Sequence, residues 1–310
     1  MGRSSVAGRL IARAAVVLIL GAAPVLAQDV VPAASTGLRR SETTVTAGVN
    51  VRFLSGSFGS DTTTNLVYVP AVLRIDAGRF ELATYFPYLS IHDGTIAPAQ
   101  GGFVPMRGTL TTAPAAGMTM GTTGAHGTGM MGGQTGDPLV VPGAALVTNR
   151  SGVGDVLASV GYRVVDTSAR GLQLVVAGRL KVPTASSSAL GTGRTDAGVT
   201  ATVRKRFAGG WVYAEGGYLY LGDPEGINLR NAVLWGVGAG RRLSNRMSLL
   251  ATAAGNTAIL EDFGAPIEIG AGVGIRAATA TVSIIPTVGL SDASPRYAVN
   301  LVLAMEIFRR

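Results

Sequence analysis

The chain of 310 residues contains no cysteine. An exported protein without cysteine has no disulfide framework, so another device must hold it together. Beyond the N-terminal leader no stretch approaches the roughly 18 consecutive apolar residues of a transmembrane helix. Histidine is scarce, at His92 and His126 only, which leaves little for imidazole-based catalysis. Glycine is plentiful, at 44 residues, but shows no Gly-X-Y period, so a collagen-like fold is excluded. Charged residues make up only 14% of the chain, and its mean hydropathy of +0.37 is high for a soluble protein. A hydrophobic exported chain without a spanning helix has one main membrane option, because only helices and closed barrels satisfy every backbone group in lipid.

Export is read from the first residues. Arg3, Arg9 and Arg13 form a positive segment with no acid, followed by the apolar core from Ala14 to Ala23 and small residues at Val25 and Ala27. This pattern predicts a cleavable signal peptide over 1–27, too short for a membrane anchor. Its removal lowers the formal charge from +8 to +5. Residues 28–41 read as a short polar periplasmic leader, and 42–310 as a single domain.

Hydrophobicity in that domain alternates with period two. In "DVLASVGYRVV" from Asp155, Val156, Ala158, Val160, Tyr162 and Val164 alternate with Leu157, Ser159, Gly161 and Arg163. The cleanest case is "IEIGAGVGIR", where Ile267, Ile269, Ala271, Val273 and Ile275 oppose Glu268, Gly270, Gly272, Gly274 and Arg276. Twelve such segments centre near residues 49, 70, 86, 160, 177, 201, 216, 237, 251, 271, 286 and 302. Each suffices to cross the hydrocarbon at a tilt, which takes about 9–11 residues. The connections alternate strictly: "DAGR", "TSARG", "AGG", "SNR" and "AAT" are short, and the others are mostly longer and polar. That alternation predicts an all-β fold, a transmembrane antiparallel barrel of about twelve strands with short periplasmic turns and longer extracellular loops. The longest loop is the low-complexity segment 93–150. Pro70, Pro87 and Pro286 fall inside strands, where bulges or strand ends are expected. Phe86, Tyr88, Trp211, Tyr213, Tyr218, Tyr220, Trp235 and Tyr297 are candidates for interfacial girdles. The last segment places Tyr297, Val299, Leu301, Leu303, Met305 and Ile307 on one face, with Phe308 out of phase.

"SGVGDVLASVGYRVV" from Ser151, "GRLKVPTASSSALGTGRTDAGV" from Gly178, "YVPAVL" at Tyr68 and "YFPYLS" at Tyr85 resemble the outer-membrane barrel family labelled "MetA-pathway of phenol degradation". The resemblance rests on Ser151, Gly152, Gly154, Asp155, Tyr162, Arg163, Lys181, Pro183, Thr184, Leu190, Gly191, Thr192, Gly193, Thr195 and Asp196. It implies a β-barrel transporter or channel for hydrophobic or aromatic compounds. Barrel topology brings Ser151, Gly152, Gly154, Asp155, Pro183, Gly191, Gly193 and Asp196 to one extracellular patch. There Asp155 or Asp196 is expected near Lys181 or Arg194. Turn chemistry and a binding site are both open to these residues.

Inward parity falls on Arg52, Arg163, Arg179, Lys181, Arg204, Arg206 and Arg276, with Glu215, Glu268 and Glu306 as opposing acids. Two readings are open: a basic lumen that favours organic anions, or ion pairs that fill a narrow barrel. Ser90 and His92, sharing a face near the outer rim, are the only pair suggesting a lipid hydrolase, and no acid or nucleophile motif surrounds them. Met118, Met120, His126, Met130 and Met131 could hold a soft metal such as Cu(I), or belong to a tether over the pore mouth. The expected function is passive uptake of small solutes through the outer membrane of a Gram-negative cell, without enzymatic activity or cofactor. Expected partners are outer-membrane lipid, the solutes and the barrel-assembly machinery. Nucleic acid is not expected, because the arginines are spread singly along the strands.

Overall fold

The computed structural model describes residues 43–58, 63–92, 96–99, 102–105, 149–167, 171–187, 190–224, 228–261 and 264–310. The leader and the Met/His tract lie outside them.

Twelve strands form the wall. They are β1 (Thr43–Gly56), β2 (Thr64–Ala77), β3 (Phe80–His92), β7 (Val156–Thr167), β8 (Leu172–Val182), β9 (Asp196–Phe207), β10 (Gly210–Tyr220), β11 (Ala232–Arg242), β12 (Met247–Asn256), β13 (Ile267–Ala277), β14 (Ala280–Gly289) and β15 (Tyr297–Arg309). Each pairs antiparallel with its sequence neighbours in the wall, and β15 pairs back onto β1 from Ser55↔Tyr297 to Thr44↔Arg309. The barrel is therefore closed, and no wall strand has a free edge. All twelve coincide with the segments expected from the period-two pattern.

Parity follows the sequence reading. Val160, Tyr162 and Val164 are exposed on the outer face, while Leu157, Gly161 and Arg163 are buried inside. The same holds on β14, where Val282 and Ile284 face out and Thr281, Ser283 and Ile285 face in. Such an apolar exterior suits lipid. The periplasmic hairpins are tight: Ala77 pairs with Phe80 across Gly78 and Arg79, with Gly78 at φ 56°. A left-handed position in a two-residue loop is what glycine supplies at least cost.

Three departures refine the sequence reading. Trp211 and Tyr213 face the lumen rather than lipid, because they share parity with the buried Glu215. Phe308 returns to outward phase. The register shifts so that Thr46 pairs with Glu306 and Val45 with Phe308, leaving Ile307 as an extra residue. One inserted residue reverses the facing of each residue after it, and Ile307 and Phe308 are both exposed. Finally, the segment before Asp155 is itself a strand, β6 (Asn149–Val153), and 93–150 also contains the hairpin β4 (Ile96–Ala99) and β5 (Gly102–Pro105). β3 pairs with β7 up to Tyr85 and with β6 from Tyr88, so the partner changes at Pro87. The ladder also skips beside the other prolines. β1–β2 pairing passes from Val49↔Ala71 to Arg52↔Tyr68, and β13–β14 pairing from Gly270↔Thr287 to Val273↔Ile284. A proline has no N–H to give there.

Candidate functional site

The lumen is built differently along its length. At the extracellular end the inward side chains are apolar. Leu54, Leu66, Tyr68, Leu89, Ile91 and Ala298, from β1, β2, β3 and β15, form one buried cluster with Phe58 and Leu190. Leu190 belongs to the β8–β9 connection, yet it lies beside Gly152 and Gly154 and joins a cluster built on β1, β2, β3 and β15. That connection therefore folds into the mouth. Phe58 is fully buried at φ 50°, a left-handed conformation that a bulky residue adopts only when its surroundings impose it. A second cluster, Leu219, Leu221, Leu229, Ala232, Leu234 and Ile259, brings in the β10–β11 and β12–β13 connections.

One buried ionic group pins the folded-in connection. Lys181 lies 2.7 Å from Asp196 and 3.6 Å from Asp155, and it donates to the Thr192 hydroxyl. Asp155 Oδ1 accepts the backbone N–H of Thr184 at 3.1 Å and of Ala185 at 3.0 Å, and Oδ2 that of Thr192 at 3.3 Å. One carboxylate thus grips both ends of the connection. Asp196 accepts the Gly222 N–H at 3.0 Å, tying in the β10–β11 connection as well. Hydrogen bonds to buried ionised groups are the stronger kind. The rim glycines fit around this hub: a Cβ on Gly191 would strike the Asp155 carboxylate, and one on Gly154 would strike Leu89. Ser151 pairs with Ser90 on β3, Pro183 directly follows β8, and Gly193 takes φ 65°. Gly152 faces Ser186 and Leu190. The residues expected at one rim patch are thus brought together around Lys181, whereas Arg194 is exposed.

Deeper in, Arg52, Arg74, Arg163, Arg179 and Arg204 each have an acid. Arg52 bonds Glu268, which also accepts Thr287 at 3.3 Å. Arg179 bonds Glu215 at 2.9 Å, and Thr202 bonds the same carboxylate at 2.8 Å. Toward the periplasm Glu81 gathers Arg163 at 2.7 Å, Arg74 at 2.8 Å and Arg204 at 3.3 Å. Arg163 and Arg74 also reach Asp76, at 2.7 and 3.0 Å. Among the described residues, these pairs join six cations (Arg52, Arg74, Arg163, Arg179, Lys181, Arg204) to six acids (Asp76, Glu81, Asp155, Asp196, Glu215, Glu268). These twelve groups balance one another, while Arg150, paired with the buried Ile91, also has inward parity. Arg206 and Arg276 lie beyond this network, at the periplasmic ends of β9 and β13. Arg74, Asp76 and Glu81 do not stand out in the sequence, because they flank the "DAGR" turn and read as turn residues.

Ser90 and His92 lie on the outer face of β3, and His92 makes no side-chain bond among the described residues. Met118, Met120, His126, Met130 and Met131 lie outside the described residues.

Comparison with solved structures gives the fold a counterpart. The chain is similar to the COG4313 outer membrane channel of Pseudomonas putida F1, with a TM-score of 0.58 and 13% identity, over 89% of this chain and 99% of that one. The fold is that of an outer-membrane barrel. Weaker likenesses, too slight to carry an argument, are to the CymD monoaromatic hydrocarbon channel (TM-score 0.42, 10% identity, 93% and 94% covered) and the Pseudomonas putida toluene transporter TodX (0.41, 12%, 86% and 88%). No family model matches the chain, and no curated protein matches it in sequence.

Proposed function

We propose that this protein is an outer-membrane channel for passive uptake of small, uncharged hydrophobic solutes, aromatic compounds among them. The observation that carries this reading is the apolar extracellular mouth, where Leu190 and two clusters of buried apolar side chains close the entrance, so that a solute passing them displaces apolar packing. An apolar solute leaves water for apolar surface there, which is favourable by about 25 cal/mol per Å² buried. The pairing of Arg52, Arg163, Arg179 and Arg204 with acids supports an uncharged solute over an organic anion, because these four arginines offer little filter for carboxylates. The sequence resemblance to the barrel family labelled "MetA-pathway of phenol degradation" points the same way. Export through the predicted signal peptide over 1–27 and insertion by the barrel-assembly machinery belong to this reading, and the outward Phe308 supplies the terminal aromatic typical of outer-membrane barrels.

The test is uptake by porin-depleted Gram-negative cells producing the chain. Toluene accumulation should rise over vector controls, while benzoate accumulation should not. Faster entry of benzoate with unchanged toluene would sink the proposal.

A further inference from the structure

At the periplasmic end the charges divide by arc. From β15 round to β7, acids stand among the cations: Arg309 pairs with Glu306, and Arg74 and Arg163 pair with Asp76 and Glu81, while Arg79 and Arg310 are not ion-paired among the described residues. From β9 to β13 the strand ends carry Lys205, Arg206, Arg241, Arg242, Arg246 and Arg276. Residues 203–213, 239–249 and 273–283 contain no aspartate or glutamate. Arg241, Arg242 and Arg246 are exposed, and none of these three is ion-paired among the described residues. Like charges set this close repel, and the chain places no acid beside them.

The same turn is also apolar. Leu243 and Met247 are exposed, at 54% and 43%, and outward Leu249, Val212 and Phe207 continue the apolar band above them. Ser244 Oγ accepts the N–H groups of Arg246 at 3.2 Å and Met247 at 3.0 Å, which holds the turn tight. Cations therefore stand at the lower edge of the lipid-facing surface, with apolar side chains between them. A soluble polyanion would answer the charge and leave Leu243 and Met247 in water. A phospholipid answers both, with phosphate on the guanidiniums and acyl chain on the apolar side chains.

We propose that the β9–β13 arc, centred on the β11–β12 turn, is a binding site for anionic phospholipid of the periplasmic leaflet. Arg241, Arg242 and Arg246 hold the headgroup phosphate, flanked by the outward Lys205. The proposal rests on the barrel lying in the outer membrane but not on which solute it conducts, so its failure would leave the uptake experiment untouched.

The full mature chain in detergent is analysed by native mass spectrometry with equal amounts of cardiolipin, phosphatidylglycerol and phosphatidylethanolamine. The two anionic lipids should be retained about tenfold more than the zwitterionic one, and retention should weaken as salt rises. Arg241→Gln/Arg242→Gln/Arg246→Gln should lower anionic retention by roughly 100-fold. Arg194→Gln/Arg296→Gln at the extracellular end should not change it. Heat-modified migration in gels checks that each variant is folded, and the single variant Arg246→Gln, with a loss of about fivefold, serves if the triple variant is not. Equal retention of all three lipids would overturn the proposal. So would anionic retention that survives the arginine changes, or that is undiminished by Leu243→Ser/Met247→Ser while polyglutamate displaces it, the outcome expected of a soluble acidic partner.

Discussion

The two halves of this barrel fill their interiors by opposite means. Toward the cell exterior, Leu54, Phe58, Leu66, Leu89, Ile91 and Leu190 close the mouth by apolar packing, with a single ionic hub behind them. Toward the periplasm, Arg74, Arg163 and Arg204 converge on Glu81, the first two also on Asp76, beside the inward Trp211 and Tyr213. The difference lies in what each half can release. A connection docked through Leu190, Ala185, the bonds of Thr184 and Ser186 and one hub can leave as a unit, and the strands behind it still close the barrel. The Glu81 group joins residues of the wall strands themselves, so it cannot open without disturbing the wall.

Lys181→Met breaks the hub at its only cation and leaves two buried carboxylates facing each other. Removing one partner of a buried ion pair costs about 3–5 kcal/mol, so the heat-modified gel transition should fall sharply. The conductance of single channels in planar bilayers should rise as the connection leaves the mouth. Unchanged stability would show that the hub holds nothing. Leu190→Ala tests the apolar side of the same device. It should weaken docking by about 3 kcal/mol and raise conductance with a smaller loss of overall stability than Lys181→Met. In the periplasmic half, Arg163→Met removes bonds to two acids, but Glu81 keeps Arg74 and Arg204. A loss of about 2 kcal/mol, with conductance unaltered, is expected from urea unfolding. If conductance rose here as well, the contrast between the halves would fail. The smallest effect concerns ion selectivity. Arg179→Gln/Glu215→Gln removes one charge of each sign, so the reversal potential in a salt gradient should match that of the parent chain, whereas Arg179→Gln alone should drift modestly toward cations.

Much of this architecture is legible in the sequence because a barrel wall imposes a rigid period. Every wall strand and the facing of Arg52, Arg163, Arg179, Lys181 and Arg204 come from alternation, since inside and outside swap at each residue. The meeting of Asp155, Lys181 and Asp196 comes from topology, once the connections are numbered. The local exceptions to the period are what escape. Phe308 takes the opposite facing from its parity because an extra residue, Ile307, resets the phase, and nothing in "MEIFRR" marks it. Trp211 and Tyr213 look like girdle residues although Glu215, on their own parity, already places them inside. The partners of Arg163 are hidden because Asp76 and Glu81 border a turn, where acids are common for other reasons. Leu190 is the hardest to see as a plug, a lone aliphatic residue in a Ser/Thr/Gly connection whose role depends on strands more than ninety residues away in sequence.

The balance of the twelve paired charges bears on how the barrel answers electrical force. A transmembrane voltage does work only on charge that moves, about 2.3 kcal/mol per elementary charge per 100 mV. Six cations tied to six acids on wall strands give a field almost nothing to pull on. Movement of this network should therefore respond little to membrane potential, and under the proposed function the solute's own concentration gradient sets the direction of flow.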